Sequence, residues 1–235
     1  MAKRQKISIE MARIIAKICG DGNLSKRYIR YNNTCQDLLD EFCDDVKKEF
    51  GAVHLIFGKG NSGTSFVQIQ DKRCLNLLRH TLKSYKSKDI KIPKLILNAS
   101  TNIKKEFIRA FFDDEGCANL RINQKTKEWK RNVEISSKAF IFLKSIKHIL
   151  ENEFGIKTNR IIKFSKKDPL KFCYKLSITG KDNIEKFKKD IGFKHPKKQK
   201  ILELMISSWK AGFCRENTNF KVLYSKLKGI KSQSI

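Results

Sequence analysis

Asp21 and Glu115 are the two residues of this 235-residue chain whose placement is hardest to explain by packing alone. Each closes an apolar run and is followed at once by glycine. The runs are Ile14-Ile15-Ala16-Lys17-Ile18-Cys19-Gly20-Asp21-Gly22 and Ile108-Arg109-Ala110-Phe111-Phe112-Asp113-Asp114-Glu115-Gly116. The apolar spacing predicts a helix in both places, and glycine suits a helix that stops abruptly. A carboxylate at that end meets the negative pole of the helix dipole, where it is disfavoured. Two ordinary amphipathic helices with acidic ends would account for either stretch taken alone. The same unfavourable placement twice over suggests that the two carboxylates are wanted together, on a cation. Hard divalent ions prefer such oxygen ligands.

The composition narrows the setting. Lys and Arg number 51 against 24 Asp and Glu, a formal charge of +27. Such an excess points to a polyanionic partner, most often nucleic acid. Hydrophobic residues make up 40% of the chain, enough for a packed core and too many for wholesale disorder. The seven cysteines are an odd number with no Cys-x-x-Cys spacing. They read as reduced thiols of a cytosolic, nucleoid-associated or organellar setting, with neither a disulfide framework nor a zinc site. The four histidines are scattered. No apolar run is long enough to span a bilayer, and Met1–Lys6 lacks a secretory h-region.

Elements that could position the two acids follow from periodicity. Ser8 is a candidate N-cap for the first motif helix, with Glu10 in its first turn and Met11, Ile14, Ile15 and Ile18 on one face. Ala16 and Gly20 make a small-residue groove for a second helix. Residues 24–31 suggest a strand with basic and aromatic side chains. A helix over Gln36–Phe50 comes next, then a hairpin of Val53–Phe57 and Ser65–Gln70, and a helix over 72–83. The second motif helix begins near Thr101 or Asn102. Ala118, Leu120 and Ile122 then alternate with Asn119, Arg121 and Asn123, as in a half-buried strand. Val133 and Ile135 mark its partner. A helix over 138–154, a hairpin of 158–164 and 171–179, a helix over 181–190 and a last helix over 201–213 complete the pattern. Residues 214–235 read as a basic tail.

The order helix, two strands, helix, two strands, helix therefore occurs twice. Gly22 corresponds to Gly116, Phe50-Gly51 to Phe154-Gly155, and Lys91-Ile92-Pro93 to Lys194-His195-Pro196. The offset drifts because the first strand pair is shorter in the first half. The expected class is α+β, in tandem αββαββα repeats over residues 1–98 and 99–213. Such a duplication implies pseudo-twofold symmetry, with Ala16 facing Ala110 and Asp21 beside Glu115. On this reading Lys17 and Arg109 point away from the helix interface, toward solvent.

With these motifs and this repeat, the chain resembles the LAGLIDADG homing endonucleases in their single-chain, two-motif form, over roughly residues 8–213. The resemblance implies two antiparallel sheets forming a saddle in the DNA major groove, with the motif helices packed at the subdomain interface. It implies that Asp21 and Glu115 bind Mg²⁺ (or Mn²⁺), with the backbone carbonyls of Gly20 and Asp114 as further metal contacts. It also implies double-strand cleavage across the minor groove, leaving short 3′ overhangs. The family places a basic residue near the scissile phosphates, and here Lys198 is first choice by its spacing to Leu202, with Lys197 and Lys200 as rivals. Gln68 or Gln70 could be a polar neighbour of the site.

Counting every second residue from each acid gives the groove-facing set: Ser25 and Arg27 in the first half, Asn119, Arg121 and Asn123 in the second. Lys130, Asn132, Lys163, Lys171 and Lys175 extend it on other strands. Arg suits guanine and Asn suits adenine at base edges. The loops carrying Lys59, Lys125, Lys127, Lys166 and Lys167 suit phosphate contact. The expected partner is a double-stranded DNA target bound by a monomer, with an intron-encoded or free-standing enzyme expected because neither end shows intein splice residues. The alternative is an RNA maturase acting on intron RNA, or a non-cleaving DNA binder of the same fold. Retention of both acids favours the enzyme.

Overall fold

The computed structural model describes residues 7–60, 63–82, 88–123, 128–165, 172–209, 222 and 225–230. The first repeat runs α1 (Ile9–Cys19), β1 (Gly22–Leu24), β2 (Ile29–Asn33), α2 (Gln36–Phe50), β3 (Leu55–Lys59), β4 (Ser65–Ile69), α3 (Lys72–Leu82) and a short α4 (Lys94–Leu97). The second runs α5 (Thr101–Glu115), β5 (Gly116–Ile122), β6 (Trp129–Ser137), α6 (Phe140–Glu153), β7 (Ile162–Ser165), β8 (Phe172–Ile178), α7 (Lys181–Asp190) and α8 (Pro196–Ser207). Each repeat builds one four-stranded antiparallel sheet, in the order β1-β2-β4-β3 and β5-β6-β8-β7. The fold is α+β, and the two sheets share one topology.

Local chemistry starts and stops the motif helices. Ser8 caps α1, its hydroxyl accepting the Met11 N–H at 3.0 Å. At the other end, a Cβ on Gly22 would lie 2.4 Å from Ile18 Cα, and one on Gly116 would lie 2.5 Å from Phe112 O. The chain doubles back from helix to strand so tightly that no side chain fits at either glycine. The strand therefore starts at the residue after the acid, which ties the position of each carboxylate to the sheet.

The two motif helices lie against each other at the centre of the molecule, in the most extensive helix–helix contact of the fold. Ala16 and Ala110 are fully buried, as are Ile14, Ile15, Phe107 and Ile108. Burying an apolar side chain of this size contributes roughly 1.5–3 kcal/mol. Around the seam the packing is unlike on its two sides. Phe111 and Phe142 meet with centroids 4.5 Å apart and their rings tilted by 51°, and Phe107 lies 6.2 Å from Phe142. By contrast, α1, α2 and α5 are joined by charges. Arg13 pairs with Asp45 at 2.5 Å and Glu106 at 3.2 Å. Arg109 pairs with Glu41 at 2.7 Å and Asp113 at 2.8 Å. Lys17, with no exposed surface, reaches Glu41 at 3.1 Å. The expectation that Lys17 and Arg109 face solvent is corrected: both are buried, and Glu41 from the first repeat neutralises them together.

Several element boundaries also differ from the sequence reading. The strand expected over 24–31 is interrupted. Ser25 takes the backbone N–H groups of Arg27 and Tyr28 on its hydroxyl, at 3.1 and 2.9 Å, and folds the chain into a turn. The last helix begins at Pro196, not at 201, because proline fits the first helical position, where no N–H is needed. The strand expected over 158–164 is shorter and begins at Ile162. Of the basic tail, the described residues include Leu227 and Ile230, both buried against the core.

Candidate functional site

The ends of α1 and α5 bring three carboxylates together. Asp21 follows α1, while Asp114 and Glu115 close α5. Gly20 allows the approach: a Cβ there would lie 2.8 Å from both Cβ and Oδ2 of Asp114. Asp114 Oδ1 accepts from the Tyr31 hydroxyl at 2.6 Å and from the Asn33 amide at 3.2 Å, and its Oδ2 is buried with no partner. Asp21 receives the same Asn33 amide on Oδ2 at 3.3 Å, and the Asn32 amide on its backbone carbonyl at 3.1 Å.

Asp21 and Glu115 are exposed residues at the helix ends, and the protein packed around their carboxyl groups desolvates them in part; that desolvation and mutual repulsion set the electrostatics. Burial raises Asp21, opposed by the positive charges of Lys198 and Lys17. Glu115 is pushed up to about 7, first by burial and then by the negative charge of Asp21, against Lys198. Asp114 is pushed up to about 8, chiefly by burial, with Lys17 opposing and Asp21 adding to the rise. These carboxyls resist ionisation together, and a cation between them would relieve the repulsion. Among the described residues no group of three or more His, Cys, Asp and Glu has metal-holding geometry. The available donors are therefore the two carboxylates Asp21 and Glu115 with neighbouring backbone carbonyls. This all-oxygen set suits a hard divalent ion whose remaining ligands are water.

Lys198 stands in the first turn of α8. Its ammonium donates to the Asp114 carbonyl at 3.1 Å, to the Phe112 carbonyl at 3.4 Å and to that of Asp113, and so caps the negative end of α5. Burial lowers its pKa, opposed first by Asp113 and Asp114. Of the three lysines weighed from sequence, Lys198 is the one that these contacts bring to the motif end. Lys200 is exposed on the same helix. Asp113 anchors the start of α8, accepting the His195 N–H at 2.9 Å while it holds Arg109.

Strand register decides which predicted groove residues share a face. On the second sheet, Asn119 pairs with Asn132 and Arg121 with Lys130, so these four lie on the face opposite Ala118, Leu120 and Val133; Arg121 and Lys130 are exposed there, while Asn132 is buried. Lys175 lies on that face as well, 3.7 Å from Glu134, which also takes the Asn132 amide at 2.7 Å. Asn123 follows β5, exposed, its N–H donating to the Glu128 carbonyl. Lys163 departs from the expectation. It pairs with Tyr174, on the face opposite Lys175, and its ammonium sits 3.8 Å from the Phe172 ring centroid. Ser25 and Arg27 lie in the β1–β2 turn, because alternation counted from Asp21 ends with β1 at Leu24. Lys171, Lys125, Lys127, Lys166 and Lys167 lie outside the described residues.

Sequence reasoning missed the residues that carry the outer face of the first sheet. Asn23 pairs with Arg30, and Arg30 with Gln68. The Arg30 guanidinium lies 4.1 Å from the Phe66 ring centroid and donates to Gln68 Oε1 at 2.6 Å, which occupies the residue weighed as a site neighbour. Restarting the alternation after the Ser25 turn would have found Arg30 and Asn32. Tyr31 and Asn33 gave no sequence signal, since only the closed hairpin brings them under the carboxylates.

Residues 102–192 match the family described as LAGLIDADG-like domain. The chain is 26% identical over 204 residues to a glutamine–fructose-6-phosphate aminotransferase (isomerizing) of Methanocaldococcus jannaschii, covering 86% of this chain and 18% of that protein. It is 34% identical over 145 residues to a probable translation initiation factor IF-2 of the same organism, covering 59% and 12%. The chain thus spans less than a fifth of either relative. Among solved structures it is similar to mesophilic variants of the homing endonuclease I-DmoI, with a TM-score of 0.59, 17% identity, and 83% and 97% of the two chains covered. It is also similar to I-DmoI in complex with DNA and Mn, with a TM-score of 0.55, 15% identity, and 78% and 96% covered.

Proposed function

We propose that the chain is a two-repeat LAGLIDADG protein and, from that premise, a site-specific DNA endonuclease hydrolysing both strands of a duplex target. The observation that carries this reading is the meeting of Asp21 and Glu115 at the ends of two packed helices, with the Lys198 ammonium beside them. A pure binding protein has no need to keep two mutually repelling carboxylates at helix ends where the dipole disfavours them. The two curated relatives carry unrelated activities and share only a segment with this chain. That pattern suits a module with an activity of its own, distinct from either whole protein.

Asp21 and Glu115, with the carbonyls of Gly20 and Asp114, are the residues that would hold a magnesium or manganese ion. The chemistry such an ion supplies when bound is activation of water and neutralisation of charge on the phosphate. Lys198, released from the end of α5, places a positive charge next to the scissile phosphate. The outer sheet faces carry the reading residues: Asn23, Arg30 and Asn32 on one, Asn119, Arg121, Lys130, Asn132 and Lys175 on the other. Cleavage runs across the minor groove and leaves short 3′ overhangs, with one chain acting as a monomer.

Selection of cleaved products from a randomised duplex library in Mg²⁺ tests the reading and identifies the target in the same experiment. On the selected site, Asp21→Asn and Glu115→Gln should each lower single-turnover cleavage by more than about 100-fold while DNA binding survives. Full activity in either variant rejects the mechanism. Lys198→Met should slow cleavage far more than it weakens binding. Affinity should also fall steeply with salt, as phosphate contacts release counterions.

A further inference from the structure

We propose that Asn33 is a positioning residue for Asp21, its side-chain amide clamping that carboxylate to the end of the second motif helix. The inference rests on the reading of Asp21 as a cation ligand. Asn33 ends β2 and is buried. Its Nδ2 lies 3.3 Å from Asp21 Oδ2, 3.2 Å from Asp114 Oδ1 and 3.0 Å from the Tyr31 hydroxyl oxygen. An amide nitrogen has two protons to give, so these three acceptors share two donors.

The orientation of the amide follows from its other end. Asn33 Oδ1 accepts the Cys35 N–H at 2.9 Å. A flipped amide would set its nitrogen against that N–H and its oxygen against two carboxyl groups. Only the orientation with nitrogen toward Asp21 and Asp114 satisfies both ends. Asn33 therefore touches a residue of each motif, and it does so from a strand that neither motif contains. Glu115, among the described residues, has no equivalent side-chain hydrogen bond. The two cation-facing carboxylates are thus held differently, Asp21 by a buried amide and Glu115 by the end of its own helix.

Outer partners that orient a metal-binding carboxylate are worth about 10–100-fold in metal affinity. The test is Mn²⁺ titration of the full chain, with free ion read by electron paramagnetic resonance and folding checked by circular dichroism. Asp21→Asn should lose the site. Asn33→Leu, close in shape but without a donor, should weaken Mn²⁺ binding by about 10–100-fold in a chain that remains folded. If that variant does not fold, Asn33→Ala takes its place, since it only deletes atoms. Asn32→Ala removes a contact to the Asp21 backbone and none to its carboxylate, and should bind Mn²⁺ within about threefold of the parent, a shift under the 10-fold lower bound for losing an orienting partner. A folded Asn33 variant that binds like the parent while Asp21→Asn does not overturns the clamp alone. So does an Asn32→Ala loss as large as that of Asn33→Leu, which would mark a general loosening. If Asp21→Asn itself binds like the parent, the cation reading fails and the clamp with it.

Discussion

The two flanks of the central helix pair differ more than the two repeats themselves. One flank is aromatic, with Phe107, Phe111 and Phe142 in contact. The other is ionic, with Arg13, Lys17 and Arg109 held by Glu41, Asp45, Glu106 and Asp113. Superposing the motifs puts Lys17 opposite Phe111, Arg109 opposite Ile15, and Gly20 opposite Asp114. The backbone has kept its pseudo-symmetry while the side chains have lost theirs. The aromatic flank supplies burial energy. Ion pairs in such surroundings come close to breaking even against apolar residues of the same volume, so the ionic flank contributes partner choice more than net stability.

The largest test of this contrast is Glu41→Leu. It strands the buried Lys17 ammonium, leaving it the Leu38 carbonyl, and takes one of three carboxylates from Arg109, which keeps Asp113 and Glu106; it should cost about 3–5 kcal/mol in urea unfolding. A loss below about 1 kcal/mol, the scale of an exposed pair, would show that Lys17 reaches water and that the ionic flank is not sealed. Next is Gly20→Ala, whose new methyl must displace Asp114 and should cost about 1–3 kcal/mol. Asp114→Gly in the same chain should restore most of that loss, because it recreates the close approach from the other helix. Additive losses in the double variant would separate the two positions.

The smallest effect is on pH dependence. Glu115 and Asp114 hold their protons to about 7 and about 8 in the folded chain, above the ordinary 4.5 and 3.8. The folded state then binds more protons than the unfolded one. The stability these two carboxyls contribute to the metal-free chain is fully present below these ordinary values and is lost as pH rises through about 7 and about 8. Melting temperatures across that range should fall, and Asp114→Asn should flatten the decline. A rising curve would mean that ion pairing outweighs burial at the carboxyl cluster.

Much of the architecture was legible because its signals are local. The helix expected over Gln36–Phe50 matches α2, and the alternation of Ala118, Leu120 and Ile122 is the buried face of β5. What failed needed a partner distant in sequence. Lys17 and Arg109 read as surface charges because Glu41 sits on another helix. Lys163 read as groove-facing because alternation cannot tell which face of a short edge strand meets the helices. Ser25 and Arg27 lie off the strand for a local reason: a serine hydroxyl that bonds its own turn ends the strand and resets the count. Lys198 was singled out through the family resemblance, and no spacing within the chain would have shown it capping α5.

The ion pairs that cross from one repeat to the other, Arg13 with Glu106 and Arg109 with Glu41, bear on ancestry. Two copies of the first repeat docked in this way would leave Arg13 facing Ala12, the counterpart of Glu106. Two copies of the second would keep Glu106 but lack Glu41, whose counterpart on α6, Ser145, carries no charge. Either symmetric pairing would lose a charge contact that the two unlike halves make. By these contacts each repeat is a better match for the other than for a copy of itself.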